Sequence, residues 1–328
     1  MASPSPSTTP NPSLVTNVQA LRNFLATIGP SSSIYVDLEG TNLGRRGTLD
    51  LITVLVPPDR KVRIIDVKAM GNQAFTTPSK KDDNVTLKSI LEDPSIRKYL
   101  WDVRNDADAL KSLYHVAISG VIDLQLLENL TRQGNSSYVT GLDKAVENDL
   151  RLDQQEQSEW KKTKEDIRKR MASGDSGIFS TRPFTTPVLR YCAGDVQFLP
   201  LLRKAYETRP AYTPKWWTHL ENASAKRVKK ACSAKGYNAT GATRAVGPWG
   251  SDPAYFFRKG KQLGLRATSS TSQKGSQKDG NQSEGLGLKP TKELAPFVLV
   301  ESQRQTTHRG LGSTLISKLA SLMKRVMP

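Results

Sequence analysis

Three places along the 328 residues put oxygen ligands where they can act together. Asp37-Leu38-Glu39 ends a short apolar run, Ile34 to Leu38. Alternate residues of a strand face the same side, so these two carboxylates lie next to each other. Like charges that close repel, and the pair persists cheaply only where something neutralises it, usually a hard divalent cation. Asp102-Val103-Arg104-Asn105-Asp106-Ala107-Asp108 places three acids where a strand passes into a helix. A helix N-terminus favours one acid there, but it does not account for three. Tyr191 and Asp195 stand four apart in a helical stretch, on one face, able to share a water or a metal ligand. Each site alone has an ordinary reading as a solvated strand end, a helix cap or a helix pair. Gly194 inside the last of these helices costs about 1 kcal/mol against Ala, which implies a close approach by neighbouring backbone or a ligand.

Other chemistries find little support. His115, His219 and His308 are scattered, and Cys192 and Cys232 make neither a disulfide framework nor a four-cysteine zinc site. The chain has no Gly-rich phosphate loop of the nucleotidase kind. No run of about 18 uncharged apolar residues is present, so no membrane partner is expected. With no signal peptide, the chain reads as intracellular, nuclear or cytoplasmic, and reduced.

The elements that must position these residues follow from the apolar periods. Leu14, Val18, Leu21, Leu25 and Ile28 predict a helix ending at Gly29-Pro30. Ile34–Leu38, Leu49–Val56 and Val62–Val67 predict three antiparallel strands. Leu87–Leu91 and Asp106–Tyr114 read as helices with a strand, Tyr99–Val103, between them. Val121-Ile122 is a short strand, and Asp123 caps a helix to Leu130. Residues 140–150 and 154–171 are helical, and Thr186-Pro187 begins a last helix to about Tyr206. Strands followed by alternating helix and strand make an α/β domain with a mixed sheet.

Charge is segregated along the chain. Of a net +17, residues 1–210 carry 28 Lys+Arg against 25 Asp+Glu, and residues 211–328 carry 20 against 6. A segregated polycation points to an anionic polymer as partner, here nucleic acid. Residues 1–13 are Ser/Pro/Thr-rich and expected to be disordered. Residues 223–245 and 267–292 read as linker or disorder, with apolar islands at Trp216-Trp217, Pro248-Trp249, Tyr255-Phe256-Phe257 and Phe297–Val300. Leu315–Val326 fits a short basic amphipathic helix.

Taken in order, the three constellations resemble the motifs of the DEDD superfamily of 3′–5′ exonucleases, in the tyrosine branch with ribonuclease D and the Werner exonuclease. Asp37-x-Glu39 is similar to the first motif, Arg104-Asn105-Asp106-x-x-x-Leu110 to the second and Tyr191-x-x-x-Asp195 to the third. Asp123-Leu124-Gln125, Gly141-Leu142, Leu152-Asp153, Gln157-Ser158-Glu159-Trp160 and Arg182-Pro183-Phe184 follow in the family's order. The run from Asp37 to Gly47 most resembles the Egalitarian-type exonuclease-domain proteins.

The resemblance covers about residues 30–210. It implies a ribonuclease H-like mixed sheet flanked by helices over 14–210, with a basic, low-order extension over 211–328. It also implies 3′–5′ hydrolysis of nucleic acid, RNA favoured, with release of nucleoside 5′-monophosphates. By the resemblance, Asp37, Glu39, Asp106 and Asp195 would hold two Mg²⁺ or Mn²⁺ ions. Tyr191 would orient the attacking water, and Asp108 and Asp102 are reserve candidates for the second motif. Oxygen donors without His or Cys favour those ions over zinc.

Residues 161–178 depart from the family as an insert carrying Lys161, Lys162, Lys164, Arg168, Lys169 and Arg170. Arg45, Arg46, Arg104, Lys161, Lys162, Arg182, Lys226, Arg227, Lys229 and Lys230 are the expected nucleic-acid contacts. The alternative function is a catalytically inactive RNA-binding adaptor. Retention of all four acids and the tyrosine favours the enzyme.

Overall fold

The strand Ser33–Glu39 (β2) organises the molecule. Its even residues Ile34, Val36 and Leu38 enter one apolar core, and Tyr35 enters another on the opposite face of the sheet. By the same alternation Asp37 and Glu39 project to the side of Tyr35. The computed structural model describes residues 12–254 and 256, apart from 59, 60, 176, 211, 236 and 240.

Five further strands join β2: Ser13–Val15 (β1), Leu51–Leu55 (β3), Val62–Asp66 (β4), Arg97–Leu100 (β5) and Val121–Asp123 (β6). The order is β1-β4-β3-β2-β5-β6. β2, β3 and β4 are antiparallel, with Asp37 opposite Thr53 and Glu39 opposite Leu51. β1, β5 and β6 attach in parallel to β4, β2 and β5 respectively. This is the mixed α/β sheet expected from the sequence.

The helices are α1 (Val18–Leu25), α2 (Val67–Met70), α3 (Gln73–Thr76), α4 (Leu87–Glu92), α5 (Arg104–Tyr114) and α6 (Leu124–Thr131). They continue with α7 (Leu142–Asp149), α8 (Gln154–Ala172), α9 (Thr186–Gln197), α10 (Leu199–Glu207) and α11 (Trp217–Ala231). Residues of α1, α3, α4 and α5 fill the core under Ile34, Val36 and Leu38. Those of α6 to α10 fill the core under Tyr35. Among the described residues no helix is long and apolar enough to cross a membrane.

Four expectations need correction. Leu14 lies in β1, paired with Ile64, and the first helix starts only after Asn17, whose side chain accepts from the Ala20 N–H. The strand expected at Tyr99–Val103 is β5, displaced toward the N-terminus, because Asp102 turns the chain with φ +63°. The last helix of the domain is two helices broken at Phe198. Pro200 has no N–H to continue the ladder, and its ring clashes with the preceding turn.

Residues 217–231, within a stretch read partly as linker, form α11 against β6 and α5. The small residues that suggest a linker let this helix sit close. Ser224 is fully buried, accepts the Asp123 N–H at 3.0 Å and donates to Leu220 O. Arg227 donates to Asp123 at 2.7 Å and to Gln125 at 2.9 Å. Most of 1–13, residues 267–292, Phe297–Val300 and Leu315–Val326 lie outside the described residues, so the expectations made for them lie there too.

Candidate active site

α9 lies across the sheet face onto which Asp37 and Glu39 project. Pro187 begins the helix, and Val188, Cys192 and Val196 bury its inner face. Tyr191 and Asp195 fall on the same side one turn apart and are 7% and 6% exposed. Carboxylate oxygens of Asp37, Glu39 and Asp195 lie within 4.8 Å of one another. Residues 158 positions apart are thus brought to one point by a strand and a helix. Asp106, in the first turn of α5, is buried beside this trio without joining its 4.8 Å group.

Electrostatics fit a site made for cations. Burial, and then the charge of Asp195, push Asp37 up to about 8. Burial followed by Asp37 and Asp195 holds Glu39 well above the carboxylate range. Burial and Asp37 do the same for Asp106. Burial also raises Asp195, against the lowering effect of Lys164. Hard oxygen donors that raise one another in this way suit a divalent ion such as Mg²⁺ or Mn²⁺. Burial and the nearby Glu39 and Asp195 raise Tyr191, so its phenol keeps its proton.

One member of the site was absent from the expected set. Lys164, on α8, is ion-paired with Asp195, and its ammonium stands 4.0 Å from the centroid of the Tyr191 ring. It is 4% exposed. Burial works most strongly against its charge, but the charge and hydrogen bond of Asp195, with Glu39 and Asp143, together raise it above the usual lysine range. A signal existed in the sequence: Trp160, Lys164 and Ile167 fall at i, i+4 and i+7, with the lysine in the middle of an apolar face.

The close approach at Gly194 comes from Trp160, whose indole lies where a β-carbon would go; it is neither backbone nor ligand. Asp143 and Arg168 pair next to Asp195, joining α7 to α8.

The reserve acids serve the fold in this arrangement. Asp108 accepts from the Arg45 N–H at 2.9 Å and from its guanidinium at 2.8 Å. Asp102 accepts from Arg104 at 2.8 Å and from Arg244 at 3.1 Å.

The expected nucleic-acid contacts divide in two. Arg45 also donates to the carbonyls of Ala231 and Ser233, both at 2.9 Å. Arg182 donates to Asp66 at 2.8 Å and lies over the Phe184 ring. Lys161 pairs with Glu147 at 2.9 Å. Arg45 and Arg182, with Arg104 and Arg227, are tied into the fold, whereas Lys161, although paired, is exposed, as are Arg46, Lys162, Lys226, Lys229 and Lys230. A cleft lined by Asn42, Leu43, Arg46, Asn105, Tyr237 and Asn238 runs beside the start of α5.

Comparison with known proteins identifies the family and the fold. The family model described as "3'-5' exonuclease" matches residues 12–208. No curated protein matches the chain. Trypanosoma brucei RNase D is similar in structure at 22% identity and TM-score 0.57, over 76% of this chain and 82% of that one. Its GMP complex matches at 23% identity and TM-score 0.58, over 75% and 70%. Its complex with RNA U12 matches at 21% and 0.55, over 76% and 79%. At these identities the likeness is one of fold.

Proposed function

The chain belongs to the 3′–5′ exonuclease family, and on that premise we propose that it removes 3′-terminal nucleotides from nucleic acid, RNA in preference, releasing nucleoside 5′-monophosphates. The observation that carries this reading is the convergence of Asp37, Glu39 and Asp195 within 4.8 Å, with buried Asp106 and Tyr191 beside them. The resemblance assigns the four carboxylates to two Mg²⁺ or Mn²⁺ ions. A divalent ion held there supplies a bound water of lowered pKa and neutralises charge on the phosphate.

The remaining work falls to the chain's own residues. Asp37 and Glu39 are fixed on the rigid central strand, and Asp195 on the helix packed across it. Tyr191 stays a phenol, whose hydroxyl would orient the water that attacks the terminal phosphorus. The water oxygen bonds to phosphorus, the P–O3′ bond breaks, and the departing 3′ oxygen takes a proton. Asp106, buried near Asp37, would complete the acidic group. The RNA-bound structure of the similar T. brucei protein supports RNA as the substrate class.

The test is digestion of end-labelled single-stranded RNA and DNA with Mg²⁺, with Mn²⁺ and in EDTA. A one-nucleotide ladder from the 3′ end that vanishes in EDTA is expected. Binding without cleavage in every metal would identify an inactive adaptor instead.

A further inference from the structure

Leu220, Ser224 and Ala231 bury one face of α11, which packs on β6 and α5. Elsewhere on the helix Lys226 and Lys230 stand one turn apart, and His219 lies two turns before Lys226, so the three form a row. That row lines a cavity of about 330 Å³, together with Trp249 and Phe256 from the segment that follows the helix. Lys226 and Lys230 are exposed, and Phe256 leaves 49% of its surface to solvent. Trp249 is 5% exposed, so its indole serves as wall.

The aromatic side of the cavity is held in place. Gly247 approaches the loop after α6 so closely that a β-carbon there would meet the Ser136 carbonyl oxygen at 2.3 Å. Its N–H donates to Ser137 O at 2.7 Å, and the Ser136 N–H donates to Ser251 O at 3.2 Å. Among the described residues no acid lines the cavity. Ammonium groups beside aromatic rings are what binds a single nucleic-acid strand, charge for the phosphates and ring faces for the bases. Arg227 also lines the cavity and donates to Asp123, which accepts the N–H groups of Asp102 and Val103 at 3.0 and 3.2 Å. One arginine and one carboxylate thus connect the cavity to the start of α5, the helix that carries Asp106. The residues matched by the family, 12–208, include neither α11 nor the segment with Trp249 and Phe256.

We propose that this cavity seats one nucleotide of the substrate strand: a base upstream of the 3′ end stacks on Phe256, and its flanking phosphates lie on Lys226 and Lys230. The inference rests on the nuclease reading for the direction of the strand and adds a second contact to it, away from the acids. Arg227 is committed to Asp123 and stays out of the phosphate contacts. Stacking accepts any base, because every base has a π-face, so the seat adds grip without sequence preference. It also favours an unpaired strand, whose bases are open to a side chain. An acidic peptide would match the lysines but leave the ring without a role.

Binding in EDTA reads the seat without cleavage. Full-length protein is titrated into end-labelled single-stranded RNA of about 12 nucleotides and followed by fluorescence anisotropy across a salt series. A parallel set of RNAs lacks one base at a time and keeps the sugar–phosphate chain. Phe256→Ala is expected to weaken binding about tenfold at an unchanged salt slope, and Phe256→Trp to restore it. Lys226→Ala combined with Lys230→Ala is expected to make the slope shallower by about 1.4 log units of affinity per tenfold rise in salt. Loss of one internal base is expected to weaken the wild type and not Phe256→Ala. Equal affinity of Phe256→Ala and wild type, or equal losses along the abasic set in both, would overturn the proposal and leave the nuclease reading standing. So would an effect of Phe256→Ala on binding of an acidic peptide with none on RNA. Should Phe256→Ala fail to fold, the abasic set decides on the wild type alone, where no sensitive internal base means no seat. A protein that shows the seat yet cleaves neither RNA nor DNA in any metal would sink the nuclease reading and leave the seat intact.

Discussion

The indole of Trp160 fills the space that a side chain on Gly194 would need: a β-carbon there would meet Nε1 at 2.9 Å and Cδ1 at 3.0 Å. This contact sets α8 directly on α9. Lys164 is one turn beyond Trp160, and Asp195 is the next residue after Gly194. The wedge therefore determines that the ammonium reaches the carboxylate.

Gly194→Ala tests the wedge. Alanine gains about 1 kcal/mol of helix propensity over glycine, whereas forcing a methyl into packed space costs about 1–3 kcal/mol. A large ring flanked by Phe198 cannot move aside cheaply, so a net destabilisation is expected in urea denaturation. A variant more stable than the wild type would mean that the α8–α9 contact is slack.

Tyr191→Phe keeps the ring that faces Lys164 and Phe179 and removes only the hydroxyl. Cleavage should fall by about 10²–10⁴-fold, the usual scale for a group that orients or transfers a proton. Mn²⁺ affinity should change little, because the phenol is not counted among the ligands. Unchanged turnover in single-turnover assays would make Tyr191 a packing residue.

Stability should depend on pH in a direction set by the acids. In the folded, metal-free protein Asp37 keeps its proton up to about pH 8, whereas its ordinary value is 3.8. Between those limits the folded state binds more protons than the unfolded one, so stability falls as pH rises and levels off above the folded value. A divalent ion displaces that proton, so its stabilising effect grows over the same range. Calorimetric melting at about pH 5.5 and about pH 8.5 should give the lower Tm at the higher pH in EDTA, with the gap narrowed in Mg²⁺. A Tm that rises with pH in EDTA would contradict the raised carboxyls.

The parts of the site that arise from local periods were legible in the sequence. Asp37 and Glu39 share a face because a strand repeats every two residues, and Tyr191 and Asp195 because a helix nearly repeats every four. Lys164 was not legible as a partner of Asp195, since 31 residues separate them and only helix packing joins them. The same holds for Arg227 and Asp123, 104 residues apart. β1 has three residues, too few for any period to declare itself, and its strand character comes from β4. α11 was obscured by its own composition: Ser224 and Ala231 read as linker residues, yet they are small because β6 and α5 come close.

That helix also decides how the basic extension must be tested. A cut after residue 210 removes Ser224 and Arg227 from fully buried Asp123, and a buried charge that loses its partner costs about 3–5 kcal/mol. Loss of binding in such a protein would report unfolding. A cut after residue 265 spares α11 and Trp249 and removes ten Lys+Arg against four Asp+Glu. Phosphate contacts give affinity that falls by about 0.7 log units per neutralised phosphate for each tenfold rise in salt on single strands. The shortened protein should therefore bind single-stranded RNA more weakly and with a shallower salt slope, while its rate at saturating substrate stays close to that of the full chain. Fluorescence anisotropy across a salt series measures both quantities. Equal affinity and equal slope would shift the electrostatic grip onto the exposed Lys226, Lys229 and Lys230 of α11. Charge reversal at those three positions would then reproduce the loss expected of the truncation.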